Sequence, residues 1–366
     1  MSSVSAHLMR RGVELASTHF QEPKKPEDEQ TPGGLVALFA LSFIIFVLIL
    51  GSIEYTYGLV VGTLAAVEDS NPDIYVRIDG NNDPTKPFDP NDPEPAAAPT
   101  PKPITSKLRT TIKHLRSRAG FWSRFRGLSM FLAWNMARGF ISAIIPISSS
   151  SFLSQFFLQS IVTVFLCTWQ MAWVHIVITE PSPKRFYQRI PSWRSWIKIV
   201  PAAILQDVLA AAAFFLPMAI AKLTGAFNIT PGADNSMKDI FRSLAFGAIP
   251  ALLALIITIP ARVVFIRVAA SMLPEEEETI VPFDRSFGGK VQPAIVGGSG
   301  KIGLLEAWTT FDWASRVRLY KVIGKTFAMH VAVLVVGGLV LGAQLFIMMP
   351  KNSGQNNGSA GTPAVE

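Results

Sequence analysis

At 366 residues, 49% hydrophobic and only 16% charged, with a mean hydropathy of +0.35, the chain is too apolar for an ordinary soluble domain and reads as a membrane protein. Its one cysteine rules out an intrachain disulfide framework and a cysteine metal cluster. The net charge of +7 says less than its placement, which is one-sided along the sequence.

Residues 1–32 are polar and rich in Pro and Glu, and are expected to be a disordered tail. No cleavable signal peptide is expected, because the first apolar run is too long and follows QEPKKPEDEQTP. Arg10 and Arg11 form a presequence-like pair that Glu14 and the later acids oppose. The first apolar run covers 33–53, passes the lone Glu54 and continues uncharged to Val67, long enough to demand a tilted or kinked helix. A Pro-, Asp- and Asn-rich stretch over about 68–104 cannot bury a core and is expected to be an extended, mobile insertion. Further spans are expected at 128–145, interrupted by Arg138, and at 152–179, where Cys167 reads as a small packing residue. The last three are expected at 199–221 around Asp207, at 243–260 and at 326–349, before a disordered tail over 350–366. The expected fold is an all-α membrane protein with six transmembrane helices between residues 33 and 349.

Six spans put both termini on one side with the second and fourth loops. That side holds 8 Lys and Arg residues, whereas the first, third and fifth loops hold 24, which assigns the odd loops to the cytosol or to the matrix of an organelle of bacterial descent. The odd loops also carry the amphipathic sequence. In SKLRTTIKHLRSRAGFWSRFRG (Ser106 to Gly127), Arg116, Arg118, Arg124 and Arg126 are interleaved with apolar residues including Trp122, as in a helix lying in the headgroup layer against anionic lipid. Attachment to a spanning helix favours lipid over nucleic acid as the partner. The segments 186–199 and 307–325 repeat the pattern.

A cation at mid-bilayer costs about 2.5–3.5 kcal/mol on insertion scales, so Arg138 should face the bundle interior. Asn135, three residues before it, shares its helix face. Gln206 and Asp207 in the fourth span, and Lys325 and His330 in the sixth, complete the expected substrate-binding set, with an Arg138–Asp207 ion pair as the simplest partner assignment. Two readings stay open: these residues recognise an anionic or zwitterionic solute, or the pair only holds two helices together. The spacings Gly58-x-x-x-Gly62 and Gly338-x-x-x-Gly342 suggest close helix packing, and Glu275 to Glu278 a solvated face. There is no phosphate loop, dinucleotide fingerprint, paired-His spacing or nucleophile elbow, so neither an enzyme nor a cofactor is expected.

The order of odd span, basic surface helix and even span recurs three times. Gly120 through Gly127, with Phe125 and Arg126 before the second glycine, matches the loop-helix motif of the mitochondrial carrier family. Pro260, Arg262 and Arg267 are similar to the proline-containing ending of that family's odd helices, with Arg262 at the acidic position and Phe265 at the basic one. The chain thus resembles a diverged mitochondrial carrier. The resemblance implies three two-helix repeats, a mitochondrial membrane, solute binding from the even spans and a gate around Pro260, Arg262 and Arg267. It also implies repulsion from Arg262 where the family has an ion-pair ring. Transport of a small anionic solute is the first expectation, and a carrier-like adaptor or assembly scaffold without transport the second. The whole chain is also similar to fungal multi-pass proteins loosely named ubiquitin carrier protein, through segments such as LPEEEETIVPFDRSFGGK and TTFDWASRVRLYK. Ubiquitin conjugation does not follow, because the chain has no His-Pro-Asn tripeptide and its cysteine lies inside a span. The sequon at Asn228, followed by Pro231, keeps the endoplasmic reticulum open as the alternative location.

Overall fold

The computed structural model describes residues 33–69, 102–144, 152–223, 252–292 and 297–348, with positions 241 and 249. Among them the chain is all-helical, apart from a bridge between Thr179 and Thr279. Helix α1 runs over Gly33–Val67, α2 over Leu108–Ala119, α3 over Leu128–Ile144 and α4 over Phe152–Ile178. Then come α5 over Trp193–Leu223, α6 over Ile259–Ser271, α7 over Leu304–Thr309 and α8 over Trp313–Met348.

Four helices are long and apolar enough to cross a bilayer: α1, α4 over Phe156–Ile178, α5 over Trp193–Ile220, and α8. The expected second span, α3, is described over 17 residues, up to the last described position of its segment, and most of the expected fifth, 243–260, lies outside the described residues. So do the tails and 70–101 of the insertion, as does the sequon at Asn228.

By contacts the chain forms two units, one holding Ser52–Ala328 and the other the flanking segments. In the second, Gln344 Nε2 donates to Ser42 Oγ at 2.9 Å, and Gly337 faces the Phe46 ring, 3.0 Å from where a Cβ would stand. Close packing therefore falls at Gly337, while Gly338 and Gly342 face open space. Gly58 likewise seats the Glu54 carboxylate of its own helix, 2.6 Å from a built Cβ, within a π-helical stretch over Glu54–Val61.

In Ser52–Ala328 a dense core forms from the α1 end, α4, α6 and the loop around 280–287. The base of the insertion belongs to it. Glu68 is 1% exposed, and its carboxylate accepts from Ile104 N, from Thr105 Oγ1 and, at 3.0 Å, from Thr105 N. Residues 68, 69 and 102–104 are therefore fixed structure rather than loose insertion, because a buried carboxylate must find donors. The amphipathic α2 turns inward too. Thr111 and Leu115 are buried and His114 Nε2 bonds Ile280 O at 2.9 Å, so protein covers the face expected to meet lipid. The motif glycines have distinct roles: Gly120, at φ +79, stops α2, and Gly127, at φ +74, leaves room for the Trp173 ring, 3.2 Å from where a Cβ would stand.

Candidate functional site at the loop-side closure

Three helix ends meet on the loop side. Residues 60–67 of α1, 171–178 of α4 and 263–270 of α6 are all buried, and the three ends pack against one another. Ala65, Ala66, Ala172, Ala269 and Ala270 allow the approach.

Helix C-termini leave carbonyls without helical partners, and burial makes that costly. Basic side chains supply the missing donors. For α4, Arg126 Nε donates to Ile176 O at 2.5 Å and its Nη2 to Thr179 O. For α6, Ala269 O accepts from Met272 N at 3.2 Å, and His175 Nε2 adds a second contact to the same oxygen at 2.8 Å, which requires the proton on that nitrogen because a carbonyl only accepts. For α1, Arg267 Nη1 donates to Ala66 O at 3.3 Å, and Arg318 Nη2 to Glu68 O at 2.6 Å. Tyr55 Oη donates to Arg126 O at 2.6 Å and accepts from Trp173 Nε1 at 3.2 Å. Below α4, Arg189 pairs with Glu277 at 2.6 Å, the two side chains being 6% and 15% exposed, so this part of the acidic run is an ion pair rather than a solvated face.

Beside α6 lies a cavity of about 360 Å³, lined by Glu68, Asp69, Arg267, Asp284, Lys290 and Asp312 among others. The Arg267 guanidinium stands between the Phe287 and Phe311 rings, 4.7 and 5.2 Å from their centroids, and Nη2 reaches Thr310 Oγ1 at 2.9 Å. Phe287 holds φ 50, a left-handed backbone costly for an aromatic residue. Burial pushes the Arg267 guanidinium down to about 10 against the pull of Asp69 and Asp312, so it stays cationic at neutral pH. Arg126 is likewise pushed down to about 10, by burial and by Arg189, with Glu180 and Glu277 opposing. Burial alone would raise the Asp284 carboxyl, but bonds from Gly288 N, Ser286 Oγ and Ser286 N together hold it below its ordinary value. No group of three or more His, Cys, Asp or Glu that could hold a metal occurs among the described residues.

The residues expected to bind solute are distributed. Arg138 is half-buried and, in the amide orientation that satisfies both groups, donates through Nε to the Gln159 oxygen at 2.6 Å. Asp207 accepts from Ser160 Oγ at 2.6 Å and Thr163 Oγ1 at 3.3 Å, so the expected Arg138–Asp207 ion pair is not formed. Gln206 accepts from Gln170 Nε2 at 3.3 Å, which places both Gln206 and Asp207 on the α4–α5 seam. Asn135 is exposed and bonds its own helix through Phe131 O, Lys325 is exposed, and His330, in the other unit, is half-buried.

Of the gate-like residues, Pro260 opens α6 and Arg267 is the buried clamp described above. Arg262, half-buried, lies within electrostatic reach of Glu54. The repulsion expected at Arg262 is therefore answered by an acid in the first span. Of the surface cations, Arg116 and Arg124 sit 4.6 and 5.9 Å from the Phe121 ring, and Arg118 meets Glu180 at 3.2 Å. Trp122 is 73% exposed. Arg126 alone turns inward, bound to carbonyls of α4 and not to lipid. Sequence reading missed Glu68, Arg318 and Tyr55; an acid and a hydroxyl at the ends of an apolar run were the available signal.

The described residues are all-helical, and four apolar helices long enough to cross a bilayer mark the chain as a membrane protein. Comparison with family models, with curated proteins and with solved structures finds no match.

Proposed function

We propose that the protein is a carrier-like transporter of a small anionic solute, of the diverged mitochondrial-carrier type, with six spans in three repeats and a mitochondrial location. The convergence of the α1, α4 and α6 ends into a sealed plug carries this reading, since an alternating-access carrier must close one side at a time. Arg138, with Asn135 on the same helix, and Asp207 on the α4–α5 seam are the charged and polar groups such a solute would meet in the spans. No catalytic chemistry or cofactor is part of this reading. Reconstitution into liposomes loaded with a panel of organic and inorganic anions tests it: uptake above empty vesicles, lost in Arg138→Gln, supports transport.

One observation favours a second reading, a carrier-like adaptor or assembly scaffold. Arg138 and Asp207 each have neutral hydrogen-bond partners on α4, so both are engaged within the bundle. On that reading no anion is taken up, and activity survives Arg138→Gln but fails when Arg116, Arg118 and Arg124 are neutralised together.

A further inference from the structure

The hydrogen bonds at the closure form a closed circuit. From the first span, Tyr55 Oη donates to Arg126 O at 2.6 Å, and the Arg126 side chain passes the link to α4 at Ile176 O. From α4, His175 reaches α6 at Ala269 O, 2.8 Å away. From α6, Arg267 returns to α1 at Ala66 O, 3.3 Å away. Each of the three helix pairs is thus joined by at least one side chain that ends on, or passes through, a backbone carbonyl.

We propose that this circuit is the latch of the loop side: a ring of donors on helix C-terminal carbonyls that does the work of an ion-pair gate and releases the three helix ends together. The physical case is directional. A carbonyl at a helix C-terminus carries the negative end of the helix dipole, so a guanidinium there gains from both the bond and the field. Arg126 and Arg267 are held cationic at neutral pH, and the rings at Phe287 and Phe311 keep Arg267 from swinging away. Moving any one helix end strands a buried donor, and at α1 and α4 a buried carbonyl as well, while Ala269 O of α6 keeps Met272 N; a half-open ring is therefore costlier than either end state.

The inference rests on reading the loop side as the closed end of a carrier, and its test does not require transport. Amide hydrogen exchange on the full chain in lipid nanodiscs is compared for the wild type, Arg126→Gln, His175→Gln and Arg267→Gln. Each single substitution should raise exchange at 60–67, 171–178 and 263–270 together, by roughly tenfold or more in the two arginine variants, as expected for losing a buried bond to a guanidinium, and by less in His175→Gln. Arg126→Lys, which keeps a cationic donor, should show a smaller rise at the same three places. A rise confined to the helix whose carbonyl lost its donor would overturn the latch, leaving three independent caps. A rise that includes 330–347 of α8 would overturn it too, since the side chains would then be holding the whole fold. Cys167, fully buried in α4 and the chain's one cysteine, gives a second readout. In sealed vesicles an impermeant maleimide should label it faster in the Gln variants, from the loop side only; equal labelling of variants and wild type counts against the latch. Coupled exchange without uptake of any anion would sink the transport reading and leave the latch standing.

Discussion

The loop-side closure and the α4–α5 seam both take polar groups out of water, and they satisfy them differently. In the seam, side chain answers side chain: Ser160 and Thr163 hold Asp207, and Gln170 holds Gln206. At the closure, side chains answer backbone, so that Arg126, His175 and Arg267 tie down helix ends rather than one another. A side-chain pair fixes two helices locally and is worth little in a membrane, because the separated helices find other partners. A donor on a terminal carbonyl fixes where a helix stops, and three such ends packed together move as one body.

The sharpest way to break this contrast is to remove bulk from the closure. Phe265, fully buried in α6, should cost about 4 kcal/mol as Phe265→Ala, within the range for large cavities, read as a lowered midpoint of thermal unfolding in detergent. If Phe265→Ala unfolds at the wild-type midpoint, the closure is not a packed core. Next comes Glu277→Ala, which removes the counter-charge from the Arg189 guanidinium at 6% exposure, leaving it Thr179 Oγ1, and should cost about 3 kcal/mol by the same measurement. The seam should give much less: Ser160→Ala and Thr163→Val are each expected to shift stability by about 0.6 kcal/mol. A loss as large as that from Glu277→Ala would put the seam on the same footing as the closure.

The smallest expected effect is a pH dependence. Asp284 has a folded value held below its unfolded one, so its contribution is present above the ordinary carboxylate value near 3.9 and is lost as pH falls through the folded value. Limited proteolysis across 284–290 should therefore accelerate on acidification below about pH 4, and Asp284→Asn should flatten that dependence.

Much of this was legible in the sequence. The runs at 33–67 and 199–221 stand as helices, and Gly120 and Gly127 mark turns that the backbone angles explain. Arg126 was misread as a lipid-facing cation because an amphipathic pattern reports only that one side is apolar. Protein interior and acyl chains satisfy that face equally well, and here protein took it. Glu68 was assigned to a solvated insertion because its partners, Ile104 and Thr105, follow 36 and 37 residues later.

The sequence by itself determined where apolar helices lie and that they belong in a bilayer, because transfer from water is roughly additive over a window of neighbouring residues. Only the tertiary structure decided which polar groups meet. Arg126 crosses 50 positions to Ile176, and Arg318 crosses 250 to Glu68. Such partners are chosen by how helix ends pack and by the cost of leaving a buried donor unmet, and neither quantity is written in any local stretch of the chain.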